Sequence, residues 1–198
     1  MKPAWIRAAE YGGIDPDPRQ QILMERFGHW LATEGVRGGG IGPSEPERID
    51  RRHLADSVLF ASQLDPATLE VWDLGSGVGL PGIPLAILHP ETEFHLLDRS
   101  GRRVDLLRRA TRVLQLDNCQ VIHGEIENLS GEVDVIVARA ILPPVELLPV
   151  AGRHLKPGGL AVVGGSWVQR PAHSGWSTIE IPRHVLDHPV WLLIMRRE

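Results

Sequence analysis

Residues 71 to 82, Val-Trp-Asp-Leu-Gly-Ser-Gly-Val-Gly-Leu-Pro-Gly, constrain the fold of this chain more than any other stretch. Val71, Trp72 and Leu74 are apolar and strand-favouring, and one carboxylate, Asp73, stands near the end of the run. Gly75, Gly77 and Gly79 follow at alternate positions. Pro84-Leu85-Ala86-Ile87-Leu88 then reads as an apolar helix that stops at His89-Pro90. Strand, glycine loop and helix in this order present backbone N–H groups to a ligand at a helix N-terminus.

The glycines alone do not choose the ligand. Gly77, Gly79 and Gly82 satisfy the G-x-G-x-x-G pattern of dinucleotide sites. In such sites, however, the first of those glycines directly follows the strand, whereas Gly75-Ser76 intervenes here. Charge argues the same way. Asp73 would face the pyrophosphate, and like charges about 4 Å apart cost roughly 1 to 4 kcal/mol at effective dielectrics between 80 and 20. S-adenosylmethionine reverses the sign, with a sulfonium and an ammonium for Asp73 and a carboxylate for the helix N-terminus. A tight turn in some other α/β enzyme is the remaining alternative. The cofactor candidates on the loop are Asp73, Gly75, Ser76, Gly77 and Gly79.

At 198 residues the chain has room for one substantial core and a short extension, and 42% hydrophobic with 23% charged residues is ordinary for a globular protein. The longest apolar runs are far too short to span a membrane, and Met1-Lys2-Pro3-Ala4-Trp5 lacks the apolar core of a signal peptide. The single cysteine, Cys119, has no internal partner, so a cytoplasmic location is the expectation. The nine histidines are scattered without zinc spacing, and no metal is expected. A net charge of −4 does not announce a nucleic-acid binder. Yet the arginines cluster, at Arg48, Arg51 and Arg52, and again at Arg99, Arg102, Arg103, Arg108, Arg109 and Arg112. Such a strip is either a solvated helix face or a surface for RNA phosphates, which arginine binds bidentately.

The first 16 residues read as an irregular arm. Asp17-Pro18-Arg19-Gln20 forms a capping box, and Leu23, Phe27, Trp30 and Leu31 follow at helical spacing. Gly35 to Gly42 reads as a flexible loop. Ser44-Glu45-Pro46-Glu47 reads as a second capping box, opening a helix over about residues 46 to 63 that puts His53, Asp56 and Ser57 on one face. Residues 17 to 63, carrying Arg51, Arg52 and His53, are expected to pack on the sheet and form a substrate-facing rim. Removing residues 1 to 45 is expected to leave cofactor binding intact. The division is thus a helical extension over 1–66 and a catalytic domain over 67–198.

Beyond the glycine loop, strands are expected at 94–98, 120–124, 133–137 and 160–163, with helices over 102–116 and 144–155. A terminal antiparallel hairpin over 178–181 and 190–195 follows. Repeated β-α units imply a doubly wound α/β sheet with ligands at the carboxyl ends of the strands. A parallel sheet closed by such a hairpin matches the class I S-adenosylmethionine-dependent methyltransferases, a Rossmann-like architecture.

Asp98 ends the second strand, where a carboxylate accepts hydrogen bonds from a ribose diol. Ile126 and Glu127 follow the third strand and are candidates to hold an adenine, the first by packing and the second by its edge. The fourth strand leads into Ala138-Arg139-Ala140-Ile141. The Asn/Asp-Pro-Pro-aromatic motif of enzymes that alkylate exocyclic amines is absent there, since Pro143-Pro144 lies too late. A cytosine-C5 mechanism needs a nucleophilic cysteine, and Cys119 stands away from the strand ends. What remains is an acceptor that is already nucleophilic. Guanine N7 is one, and for it positioning alone accelerates transfer. Arg139 is the catalytic candidate, bonding guanine O6 or the cofactor carboxylate, with pairing to Asp134 as the plain alternative.

Four segments together carry a resemblance: Arg52-His53-Leu54-Ala55-Asp56-Ser57; Asp73 through Leu80-Pro81-Gly82-Ile83-Pro84 to Ala86; Ala138-Arg139-Ala140; and Leu155-Lys156-Pro157-Gly158-Gly159. They resemble the bacterial RsmG/GidB family, over about residues 20 to 165. The resemblance implies an enzyme that uses S-adenosylmethionine to methylate N7 of a guanine in small-subunit (16S) ribosomal RNA, free or in the assembled subunit. It also implies cofactor contacts at Gly75, Leu80, Ile126, Glu127 and Arg139. A relative acting on another RNA or a small molecule, or a ribosome-assembly module without turnover, stays open at this point.

Overall fold

The computed structural model describes residues 2–139, 144–165 and 175–198; Ala140, Ile141 and Pro143, named above, lie outside them. Seven strands form one sheet in the order β3-β2-β1-β4-β5-β7-β6. They are β1 (Glu70–Leu74), β2 (Glu93–Asp98), β3 (Cys119–His123), β4 (Val133–Arg139), β5 (Leu155–Gly165), β6 (Ser177–Ile181) and β7 (Val190–Arg196). The first five run parallel, and β7 pairs antiparallel with both β5 and β6, as the terminal hairpin requires. From β1 the chain builds outward on one side through β2 and β3, then returns to the other side of β1 with β4. The loop after β1 therefore stands at the point where the strand order reverses, and a crevice opens there.

The period-2 alternation of the strands sorts them onto two faces. Val71, Val135, Val137 and Val162 point to one side, and Trp72, Ile136, Ala138, Ala161 and Val163 to the other. Six α-helices cover them. On the first side the core includes residues of α1 (Ala4–Tyr11), α2 (Pro18–Trp30), α3 (Ala55–Val58), α4 (Gly82–Leu88) and α5 (Gly101–Leu114). On the second side α6 (Pro144–His154) contributes Leu147, Val150 and Ala151. Helix α4 is buried on every side, which its sequence, apolar all round, demands.

The N-terminal segment departs from the sequence reading in three places. Residues 4–11 are helical rather than irregular. The first turn lacks a local side-chain cap, and the carboxylate of Asp50 serves instead, accepting the N–H of Ala4 at 2.9 Å and of Trp5 at 3.1 Å. The capping box at Asp17 forms as read, with Gln20 N–H to Asp17 at 2.8 Å and Asp17 N–H to Gln20 at 2.9 Å. The box at Ser44 does not form. Pro46–Arg48 is a 3₁₀ turn capped by no side chain, and residues 49–63 are not one α-helix. They wind as a wider π-type helix over Ile49–Leu54, as α3, and as a 3₁₀ turn over Leu59–Gln63.

The glycines after α2 are packed rather than loose. A Cβ on Gly40 would lie 1.9 Å from Val78 Cγ1, and one on Gly38 2.5 Å from Leu106. Only glycine lets this turn close onto the glycine loop and α5. Ala8, Met24, Phe27 and Leu31 are fully buried in the same core as the sheet. Each large apolar side chain there contributes about 1.5 to 3 kcal/mol. Removing residues 1 to 45 would therefore strip the core, so the expectation that cofactor binding survives that truncation is corrected.

Candidate functional site

A cleft of about 510 Å³ opens at the carboxyl ends of β1, β2 and β4. Its floor is the glycine loop. Gly75, Gly77 and Gly79 all have positive φ (69°, 62° and 97°), a backbone only glycine adopts without strain. The Ser76 hydroxyl donates to the Asp73 carbonyl at 3.0 Å, and the Ser76 N–H to the Leu97 carbonyl at 2.9 Å, tying the loop to both strands. Gly75, Ser76, Gly77 and Leu80 line the cleft; Gly79 does not, because it faces Ile83 instead.

Asp73 lies one layer behind the loop rather than on the cleft wall. It is wholly buried, and its Oδ2 accepts the Gly82 N–H at 2.9 Å, at the start of α4. A Cβ on Gly82 would sit 2.6 Å from that oxygen, which accounts for the third glycine of the pattern without a dinucleotide. Asp73 Oδ1 has no hydrogen-bond partner. Burial pushes the carboxyl up to about 7, against the opposing pull of Ser76, Gly82 and Arg139. A buried carboxylate with one unsatisfied oxygen behind a cleft is a fixed source of negative potential, and it favours a cation in front of it.

Asp98 ends β2 and lines the cleft, 4% exposed. Its Oδ2 accepts from Gly77 N–H at 2.9 Å and its Oδ1 from Ser100 N–H at 2.8 Å, leaving one lone pair on each oxygen for a diol. Arg103 Nη1 stands 3.8 Å away. Opposite, Ile126 opens a 3₁₀ turn over Ile126–Asn128, and Ile126 and Glu127 both line the cleft. An apolar side chain facing a carboxylate across the cleft suits the flat base and the polar sugar of a nucleoside. The orphaned Asp73 oxygen suits a cation, so the residues fit S-adenosylmethionine.

Arg139 closes the inner end. It lines the cleft and its Nη1 donates, at long range, to the carbonyls of His53 (3.4 Å) and Arg52 (3.5 Å). Burial lowers its pKa, while Asp56 and Asp73 hold it up. Asp134 is not its partner. That carboxylate bonds Lys156 at 2.7 Å and the N–H groups of Leu69 and Glu70. Asp56, buried at 6% exposure, accepts from or shares a proton with His188 Nε2 at 3.0 Å, rather than pairing with Arg52.

His53 also lines the cleft, whereas Arg51 and Arg52 are exposed and do not; Arg51 reaches Asp187 at 3.6 Å. Burial and the Arg139 charge hold the His53 imidazole below its ordinary pKa. Its Nε2 is 3.4 Å from Glu45, and neither ring nitrogen makes a hydrogen bond. Cys119 opens β3 away from the cleft, its thiol pushed by burial up to about 12, far from a nucleophile's range. Among the described residues no group of three or more His, Cys, Asp or Glu side chains is placed to hold a metal ion, and no helix is long and apolar enough to cross a membrane.

The sequence reading missed Gly40 and Ile41 on the cleft wall, and Arg103 at its rim. The triple glycine at 38–40 was the available signal, since a run that no side chain interrupts marks a backbone meant to approach another.

Comparison with known proteins points the same way. The model of the GidB family, described as rRNA small subunit methyltransferase G, matches residues 20–169. Curated proteins named ribosomal RNA small subunit methyltransferase G are similar over most of the chain. The one from Acidothermus cellulolyticus is 37% identical over 77% of this chain and 68% of its own length. That from Clavibacter sepedonicus is 38% identical over 83% and 78%, and that from Corynebacterium jeikeium 34% over 89% and 92%. Among solved structures, a ribosomal protein L11 methylase from Lactobacillus delbrueckii subsp. bulgaricus superimposes with a TM-score of 0.58. It is 19% identical, covering 73% of this chain and 78% of its own. P. horikoshii TYW2 in complex with MeSAdo gives 0.55 at 15% identity, covering 73% and 62%. At these identities the two share a fold with the present chain and no more.

Proposed function

The chain belongs to the GidB family, rRNA small subunit methyltransferase G, and on that basis we propose that it methylates N7 of a guanine in small-subunit ribosomal RNA, using S-adenosylmethionine. The observation that carries the reading is the pairing of Asp73 and Asp98 across one glycine loop, with a cation, Arg139, at the inner end of β4. On this reading residues 67–198 form the methyltransferase domain, residues 1–66 extend it, and the protein works in the cytoplasm where ribosomal RNA is made.

When bound, S-adenosylmethionine supplies a methyl group on a positively charged sulfur. Asp98 holds the ribose diol with the lone pairs left after Gly77 and Ser100 are satisfied. Ile126 and Leu80 pack against the adenine, and the Glu127 segment meets its edge. Gly75, Ser76 and Gly77 bring backbone close to the cofactor's chain, and Asp73 supplies the negative potential behind it. Guanine N7 has a free lone pair, so the protein abstracts no proton. Arg139 fixes the acceptor or the cofactor carboxylate with a planar fork of donors, and the rate comes from positioning and electrostatics. His53, Arg51 and Arg52 border the entrance on the acceptor side.

Transfer of labelled methyl from S-adenosylmethionine to intact small subunits and to naked ribosomal RNA, with mapping of the labelled atom, tests the reading. The expected product is 7-methylguanine at one position. Label on another atom, or a covalent enzyme–RNA adduct, overturns it.

A further inference from the structure

Helix α5 leaves the cleft with an unusual outer face. It carries five arginines against a single Asp105, in a chain whose net charge is −4 and which has only two lysines, Lys2 and Lys156, among its 21 basic residues. All five arginines are exposed, while Val104, Leu106, Leu107, Ala110 and Leu114 are buried. The arginines are therefore not spread around the helix. Arg102, Arg109 and Arg112 stand seven and three residues apart and share a stripe with Arg108, spanning about 15 Å along the axis.

This stripe is the floor of a groove whose other wall is the turn at Gly38. Glycine lets that wall approach: a Cβ on Gly39 would lie 3.3 Å from the Arg102 guanidinium. Arg109 is tied to Glu34 at 3.1 Å. Among the described residues, Arg102, Arg108 and Arg112 have no carboxylate within ion-pair distance. A helix face built for solubility intersperses both signs and pairs them at i,i+4; here positive charge is concentrated and mostly unneutralised. At its N-terminal end the helix meets the cleft, where Arg99 and Arg103 line the rim. A strand whose base enters the cleft has its backbone beside this rim.

We infer that the arginine stripe of α5 is a docking track for the phosphodiester backbone of the RNA that flanks the target base. The inference rests on the reading above that the acceptor is RNA. It assigns substrate affinity to a surface outside the cleft, and leaves cofactor binding and the chemical step to the cleft itself. Arginine suits the task because its fork of donors bonds two phosphate oxygens at once.

The test is the double charge reversal Arg108→Glu/Arg112→Glu in the full chain, with Arg108→Lys/Arg112→Lys as the charge-conserving control. Both positions are exposed and outside the cleft, so S-adenosylmethionine affinity by calorimetry should match the parent protein. Binding of a labelled, naked fragment of small-subunit ribosomal RNA is measured against salt. The expected result is a log–log salt slope shallower by about 1.4 to 1.8, and an RNA KM raised on the order of tenfold with kcat kept, whereas the lysine control retains most of the affinity. If the parent methylates ribosomal RNA and the reversal leaves slope and KM unchanged, the track is wrong and the guanine-N7 reading stands. If the parent binds RNA through these residues but transfers no methyl to it, the function reading fails and the track stands. Weakened binding to intact subunits with no change on naked RNA would place an acidic protein on this face, and no RNA binding by the parent at all would remove both proposals.

Discussion

The two sides of the cleft are built in opposite ways. On the glycine-loop side the loop is tied down by backbone. Asp98 accepts two N–H groups within 2.9 Å, Ser76 bonds both flanking strands, and Asp73 caps the start of α4. On the side formed by residues 45–57 and Arg139 the bonding is sparse. The Arg139 contacts are 3.4 and 3.5 Å long, the ring of His53 makes no hydrogen bond, and the chain winds as a π-type helix. A site assembled from saturated short bonds keeps its shape without ligand. A site with long bonds and orphaned polar atoms is completed by what binds there. The cofactor half is therefore preorganised, and the acceptor half is finished by the acceptor.

Five experiments probe that contrast. The largest effect belongs to Asp73. The folded protein holds a proton on this carboxyl up to about pH 7 that the unfolded chain, with an ordinary value of 3.8, has already lost. Its ionisation thus destabilises the fold progressively from about pH 4 to 7, and above pH 7 by on the order of 4 kcal/mol. Asp73→Asn, which keeps an acceptor for Gly82, should melt higher than the parent at pH 8 and lose that advantage toward pH 4, while binding S-adenosylmethionine much more weakly. Thermal melts across pH read the first effect and calorimetry the second. A variant destabilised at pH 8 would mean the cofactor half is not strained.

Next is Arg139→Lys, which keeps the charge and loses the planar fork. Single-turnover transfer should fall about 10²- to 10³-fold, with little change in melting temperature. Unchanged kinetics would remove Arg139 from the acceptor half and leave the cofactor argument intact. Asp98→Ala should cost cofactor binding about 1.5 to 3 kcal/mol for each diol bond lost. It should also loosen the loop, since Gly77 and Ser100 lose their acceptor; equal calorimetric affinity would refute the ribose role. Gly40→Ala forces a Cβ toward Val78 and should destabilise by about 1 to 3 kcal/mol through overpacking, read by denaturant melts. Cys119→Ser should have the least effect, leaving methyl transfer within about twofold of the parent because positioning, and no thiol, drives the reaction. Loss of transfer in a folded Cys119 variant would revive a covalent mechanism.

How much of this was legible depends on where each determinant lies. The strands, the glycine loop and the box at Asp17 are written in neighbouring residues, because period-2 burial, positive φ and an N-terminal cap act over a few positions. Helix α1 was not legible, because its cap is Asp50, 46 residues away. The box at Ser44 was legible and did not form, since this segment is packed between α1, the glycine turn and the cleft.

Local sequence sufficed for the doubly wound sheet, the switch-point loop and the residue types Asp73, Asp98, Ile126 and Arg139 at the strand ends. These depend on periodicity and on the order of elements along the chain. Packing alone settled that Asp73 works from behind the loop, that Gly40 and Ile41 close the cleft wall, that Asp56 meets His188, and that Arg139 faces His53 instead of Asp134. Each of these joins groups distant in the chain, or turns on which side chain burial leaves without a partner. Charge and desolvation act through space, and the space is set only once the elements have packed.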